Sequence, residues 1–248
     1  MDLDLTDRVY IVTGGARGLG RATADVLVAE GARVVLSGRT EETLAPARGE
    51  SVETVVADNA DPATPQRLVA AAQERWGRLD GALISVGGPP TGTVTGTTDE
   101  QWTSAFESVF LGAVRLGREI GAALPVGGAL AFVLSSSVRA PLANLAISNG
   151  LRPGLAMVAK TLADELGPAG VRVNGLLPGR IGTERVEELD ASTGDASAAR
   201  EAATRTIPLA RYGEPAEFGR VAAFLLSPAS SFVSGSMLPV DGGMLRAL

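Results

Sequence analysis

Cysteine and histidine are both absent from this 248-residue chain. Without cysteine there is no disulfide, no thiolate nucleophile and no thiolate metal ligand. Without histidine the commonest general base and the commonest metal ligand are missing, and a Ser-His-Asp triad is impossible. No metal site is expected. Phenols are restricted to Tyr10 and Tyr212, and Lys160 is the only lysine against 21 arginines. Acid–base chemistry is left to Asp, Glu, Ser, Arg, two tyrosines and one lysine. Basic blocks are also lacking and the net charge is −6, which argues against a nucleic-acid surface. No apolar run is long enough to span a bilayer. The acidic start Met1-Asp2-Leu3-Asp4 lacks the charged-then-apolar pattern of an export signal. These absences leave a cytoplasmic protein that meets a small molecule, with no nucleic-acid or membrane partner.

What is present is a regular alternation. Seven short runs rich in Val, Leu and Ile read as strands at Arg8–Thr13, Arg33–Ser37, Val52–Ala57, Gly81–Val86, Ala129–Leu134, Val171–Leu176 and Met237–Val240. Helical patterns fall between them, near Gly20–Glu30, Pro62–Trp76, Asp99–Leu124, Leu151–Leu166 and Glu214–Leu226. Strand–helix alternation implies right-handed βαβ units and a doubly wound α/β sheet covered on both faces. No linker divides residues 1–248, so one domain is expected. Arg180–Ile207 breaks the alternation with Gly, Ser, Thr and many charges; it reads as a helical lid or as a polar surface excursion.

Gly14, Gly18 and Gly20 follow the first strand and open the first helix, within Thr13-Gly14-Gly15-Ala16-Arg17-Gly18-Leu19-Gly20. A tight turn, close backbone approach and free N–H groups at a helix N-terminus together suit a dinucleotide phosphate. The second strand ends Ser37-Gly38-Arg39, with no acidic residue to grip a ribose 2′-hydroxyl. Arg39 and Arg17 can hold a 2′-phosphate instead, which favours NADP(H) over NAD(H). Asp58, just after the third strand, is placed to meet the adenine.

The chain resembles the short-chain dehydrogenase/reductase superfamily, and is similar to its 3-oxoacyl-carrier-protein reductases. The resemblance runs nearly end to end. It rests on Thr13–Gly20, Asp58, Leu162–Leu166 with Gly167-Pro168, Val171-Arg172-Val173-Asn174, Pro178-Gly179 with Thr183, Pro208-Leu209, Gly213-Glu214-Pro215 and Val240-Asp241-Gly242-Gly243. It implies a Rossmann-type sheet in the order 3-2-1-4-5-6-7 and a homotetramer or homodimer. It also implies that Gly87, Pro178, Gly179, Ile181 and Thr183 meet the cofactor.

The family's Asn-Ser-Tyr-Lys set is where the resemblance fails. Anchored on Leu162-Ala163, the Tyr position falls on Ser148, the Lys position on Arg152 and the Asn position on Val109. A serine survives within Ser135-Ser136-Ser137: motif shape favours Ser137, and the usual spacing favours Ser135 or Ser136. The usual Asn-Asn-Ala-Gly reads Ile84-Ser85-Val86-Gly87, followed by Gly88-Pro89-Pro90. A serine hydroxyl is a far weaker acid than a phenol and sits on a shorter side chain, and Arg152 keeps its proton at any working pH. Ser148-Asn149-Gly150-Leu151-Arg152-Pro153-Gly154 is poor in helix formers, so the helix is expected to start near Leu151 or bend at Pro153. The candidate centre is therefore Ser136, Ser137, Ser148, Asn149 and Arg152, with Asn144 and Asn149 as hydrogen-bond donors to a carbonyl. Tyr10 and Tyr212 read as packing residues, and Glu184, Glu187 and Glu188 as a solvated helix face or an acid brought in by the lid. Three readings stay open: an NADP(H)-dependent reductase or dehydrogenase without the tyrosine acid, a non-redox enzyme such as an isomerase, cyclase or dehydratase, and a non-catalytic nucleotide binder.

Overall fold

A computed structural model describes residues 2–247. Seven strands form one all-parallel sheet in the order β3-β2-β1-β4-β5-β6-β7. They are β1 (Val9–Val12), β2 (Arg33–Gly38), β3 (Val52–Val56), β4 (Gly81–Ile84), β5 (Ala129–Val133), β6 (Arg172–Pro178) and β7 (Met237–Val240). The expected fold class and strand order are both observed. The strand order reverses between β1 and β4, and such a switch point leaves a crevice at the carboxyl ends of the strands.

Alternating strand residues build two cores. Ile11, Val35, Ile84, Phe132 and Val173 face α3 (Thr64–Trp76), α5 (Gly112–Ala123) and α6 (Ala146–Leu166). Tyr10, Val12, Leu36, Leu83 and Leu176 face α1 (Gly18–Ala29), α2 (Glu41–Leu44) and α9 (Pro215–Leu226). A strand buried on both faces needs apolar residues at every position, which is why β1, β4 and β5 read as unbroken apolar runs.

An ionic clamp fixes the amino-terminal rim of the sheet. Asp80, buried just before β4, accepts from the Val9 amide at 2.8 Å and from the guanidinium groups of Arg78 and Arg8. On the same rim, Arg172 at the start of β6 donates to the carbonyls of Leu225 (2.8 Å) and Ser227 (2.9 Å), capping the carboxyl end of α9.

Two helices differ from expectation. The single helix expected over Asp99–Leu124 is α4 (Asp99–Ala105) and α5, joined by a wider π turn at Phe106–Leu111 in which Phe106 and Phe110 stack at 5.3 Å. Helix α6 begins at Ala146 rather than near Leu151 and continues through Pro153. Its Leu155, Ala156, Ala159 and Leu162 are buried against the sheet, and that packing outweighs the roughly 3 kcal/mol that an interior proline costs. The segment expected as a lid holds α7 (Glu184–Ala191) and α8 (Ala196–Arg205). Among the described residues no helix is long and apolar enough to cross a membrane, and no cluster of acidic side chains could hold a metal ion.

Candidate active site

The carboxyl ends of β1 to β6 bring the expected site residues to one edge of the sheet. Thr13 closes β1 and ties it to the end of β4: its Oγ1 donates to the Ser85 carbonyl at 3.0 Å and accepts from the Ser85 amide at 2.9 Å. Gly14 then turns at φ +57°, and a Cβ there would lie 2.5 Å from the Ser85 carbonyl oxygen. A Cβ on Gly20 would lie 2.5 Å from the Gly14 carbonyl oxygen. Glycine is required at both positions by space, and at Gly14 by backbone angle as well. Helix α1 starts at Gly18 with no side chain capping its first turn, so its amides are left for another acceptor. Leu19 packs against the core that α1 faces. This cradle fits a dinucleotide diphosphate.

Around the cradle, Arg17, Arg39 and Asp58 are exposed, and Gly87 opens to solvent. The Asp58 carboxylate accepts from the Ala60 amide at 2.9 Å, which sets the turn after β3. Gly179 follows β6, its amide bound to the Val240 carbonyl at 3.0 Å, just after Pro178. Ile181 and Thr183 are buried beyond it, and the Thr183 methyl comes within 3.8 Å of where a Gly18 Cβ would stand. The residues suggested for the cofactor lie at or just after the carboxyl ends of β1, β2, β3, β4 and β6.

Helix α7 rests on this rim. Glu188 lies 3.7 Å from Arg17 and 3.6 Å from Arg185. Arg185 reaches across to the Pro89 carbonyl at 2.6 Å, and a Cβ on Gly88 would stand 2.8 Å from its Nε. Asp190 is buried and accepts from Arg180 (2.9 Å) and from the Tyr212 hydroxyl (3.0 Å). Arg200 covers the Tyr212 ring at 4.3 Å. Burial and the bond to Asp190 both raise the Tyr212 pKa, and burial raises that of Tyr10. Both tyrosines are packing residues, as expected.

The centre itself is built by the turn after β5 and the first turns of α6. Ser135 accepts from the Ser137 amide at 3.1 Å and so caps the short turn Ser136–Val138, in which Ser136 is buried. Ser137 Oγ stands 3.1 Å from Ser148 Oγ, and both residues are buried. Of the three serines, Ser137 is the one facing α6. Asn149 is engaged elsewhere: its amide accepts from the Leu142 N–H at 3.0 Å and donates to the Leu142 carbonyl at 2.8 Å. It braces the loop before α6. Asn144 is exposed at φ +58°, and its carbonyl accepts from the Gly92 amide. Val109, on the π turn, belongs to the core.

Arg152, one turn beyond Ser148, points inward. Its guanidinium donates to the carbonyls of Val133 (2.7 Å), Gly87 (3.3 Å) and Val86 (3.4 Å), tying the ends of β4 and β5 together. It is 4% exposed, and burial pushes its pKa down to about 10. Sequence reasoning placed Arg152 in the centre but did not foresee this inward turn; nor did it single out Thr13, Ser85 or Arg185. A polar Thr at the end of an apolar strand was the one available signal.

A parallel sheet with a glycine turn at its switch point, a helix starting over that turn and a serine pair beside it defines a dinucleotide-binding α/β protein. A family model described as enoyl-(acyl carrier protein) reductase matches residues 14–245. The chain belongs to the short-chain dehydrogenase/reductase superfamily of oxidoreductases, which use NAD(H) or NADP(H). Levodione reductase of Leifsonia aquatica is 34% identical over 261 residues, covering 98% of this chain and 96% of its own. The structure of L-sorbose reductase from Gluconobacter frateurii, complexed with NADPH and L-sorbose, superposes with a TM-score of 0.92 at 30% identity, over the full length of both chains. A short-chain oxidoreductase of Pseudomonas aeruginosa PAO1, described as containing an atypical catalytic center, superposes at 0.91 with 28% identity, over 99% of this chain and 100% of its own.

Proposed function

We propose that this protein is an NADP(H)-dependent oxidoreductase acting on a carbonyl or alcohol substrate without a tyrosine acid. The observation that carries this reading is an intact glycine cradle beside a centre whose facing hydroxyls, 3.1 Å apart, are both serines. Gly14, Gly18, Leu19 and Gly20 would hold the diphosphate, and Arg17 and Arg39 the 2′-phosphate. Asp58 would meet the adenine, with Gly87, Pro178, Gly179, Ile181 and Thr183 at the nicotinamide end. When bound, the dinucleotide supplies or accepts a hydride.

The chain's own residues do the rest. Ser137 and Ser148 orient the substrate oxygen by hydrogen bonding, and Ser136 holds the turn that presents Ser137. Arg152 places a fixed positive charge behind them and exchanges no proton. Neither serine is an acid near neutral pH, so the proton passes to or from water. A centre without a positioned acid is expected to be slower by about 10²–10⁴ than one that has it. The names of the levodione and sorbose relatives support a small carbonyl or alcohol substrate. In the same reading Arg180–Ile207 is a lid on a single domain, the assembly is a homotetramer or homodimer, and the location is the cytoplasm, where nicotinamide dinucleotides are kept.

The test is a calorimetric titration with NADPH and, in parallel, NADH, followed by NADPH absorbance against a panel of carbonyl compounds. Binding near the micromolar level with NADPH preferred, and substrate-dependent oxidation, is the expected result. Binding of neither nucleotide would sink the reading. Binding with no oxidation by any carbonyl would move the assignment to the non-redox or binding alternatives.

A further inference from the structure

Helix α7 turns two carboxylates toward the cofactor rim. Glu184 Oε2 comes within 3.9 Å of where a Cβ on Gly18 would stand, at the uncapped start of α1. One helical turn later, Glu188 lies 3.7 Å from Arg17. The two acids stand on the two features that make this rim attractive to anions, free amides at a helix start and a guanidinium. Both carboxylates are exposed, and an exposed ion pair at 3.7 Å contributes little. A phosphate on the same guanidinium makes the stronger, charge-assisted bond. Glu188 also has a second cation to fall back on. It lies 3.6 Å from Arg185, whose guanidinium is held by the Pro89 carbonyl at 2.6 Å. The carboxyl end of α7 is pinned, because buried Asp190 accepts from Arg180 and from Tyr212. What has to turn aside for a phosphate is therefore the pair of exposed side chains.

We propose that Glu184 and Glu188 are internal competitors of the nucleotide phosphates, each lowering affinity at its own position. This rests on the cofactor reading above. Glu184 contests the diphosphate, which both nicotinamide dinucleotides carry. Glu188 contests the 2′-phosphate on Arg17, which only NADP(H) carries, and so restrains the preference for NADP(H). Two like charges about 4 Å apart in a water-exposed site cost about fivefold in a binding constant. That is enough to tune an affinity and too little to abolish it.

The test is a calorimetric titration of NADPH and of NADH into wild type, Glu184→Gln, Glu188→Gln and Glu74→Gln. Glu74 is exposed near the carboxyl end of α3, on the opposite rim of the sheet, and its variant carries the same change of net charge. Glu184→Gln is expected to bind both nucleotides about fivefold tighter. Glu188→Gln is expected to bind NADPH about fivefold tighter and NADH much as wild type does. Glu74→Gln is expected to match wild type for both. Thermal unfolding checks that each variant keeps its fold, and Glu184→Ala or Glu188→Ala takes the place of a Gln variant that melts early. Variants of Glu184 and Glu188 that bind NADPH no tighter than wild type overturn the proposal and leave the cofactor reading in place. So does a Glu74→Gln variant that gains as much as they do, or a Glu188→Gln variant that gains equally for the two nucleotides. Failure of all four forms to bind either nucleotide overturns the proposal and the cofactor reading together.

Discussion

Arg152→Met exchanges a buried guanidinium for an apolar side chain of similar reach. Burial pushes the guanidinium pKa down to about 10, a penalty of about 3 kcal/mol for keeping the charge inside. Against this stand three hydrogen bonds. The bond to the Val133 carbonyl at 2.7 Å is short, and a charged donor makes it contribute about 2 kcal/mol. Those to Gly87 at 3.3 Å and Val86 at 3.4 Å are long and contribute about half as much each. Penalty and bonds nearly cancel, so the loss of the guanidinium itself is close to neutral. The carbonyls left behind are a different matter. Gly87 is exposed and its carbonyl regains water, whereas Val86 and Val133 are buried. Each orphaned buried acceptor costs about 1–3 kcal/mol. The expected net loss is about 2–6 kcal/mol, a fall in melting temperature of roughly 4–24 °C for a chain of this size. Thermal unfolding followed by far-UV circular dichroism measures it. A melting temperature at or above that of wild type would refute the reasoning, because the strand ends would then not depend on the guanidinium at all.

Other expectations are smaller in scope. Arg39→Asp should move the preference from NADPH toward NADH, read as the ratio of the two dissociation constants; an unchanged ratio removes Arg39 from the 2′-phosphate. Gly14→Ala places a methyl 2.5 Å from the Ser85 carbonyl at a left-handed backbone angle that costs about 1–2 kcal/mol, so nucleotide affinity should drop by about tenfold or more with the secondary structure intact. Normal affinity in that variant would mean that the turn is not the phosphate cradle. Glu217 accepts from Arg211 at 2.7 Å and from the Glu214 amide at 2.8 Å, and its pKa is held down at about 2, chiefly by Arg211. A carboxyl lowered in the folded state stabilises fully above its ordinary value near 4.5 and ceases to as pH falls to about 2. Glu217→Gln should therefore flatten the loss of stability across that acid window; a urea midpoint that falls as steeply as in wild type would contradict it.

The strand order was legible because strands buried on both faces write themselves as apolar runs, and because Gly14, Gly18 and Gly20 mark the turn at which the sheet reverses. The start of α6 was not legible. Ser148, Asn149, Gly150 and Pro153 all argue locally against helix, and only the burial of Leu155 and Ala159 against strands distant in sequence decides otherwise. Side-chain direction was hidden for the same reason. Which serine faces α6 depends on Ser135 capping its own turn and leaving Ser137 to meet Ser148. That Arg152 points at backbone carbonyls depends on where two other strands end. Asn149 reads as a donor for substrate, yet folding gives both ends of its amide to Leu142.

The clamp around Asp80 has a bearing on how such a protein can change over time. It secures β1 and β4 at the rim opposite the site, so strand register does not depend on what occupies the carboxyl ends. Residues there are free to be exchanged during divergence, or by an engineer, while the scaffold keeps its shape. Arg152 is where that separation fails: it joins β4 to β5 inside the centre. New chemistry grafted at this position has to supply a replacement for the tie as well as for the charge.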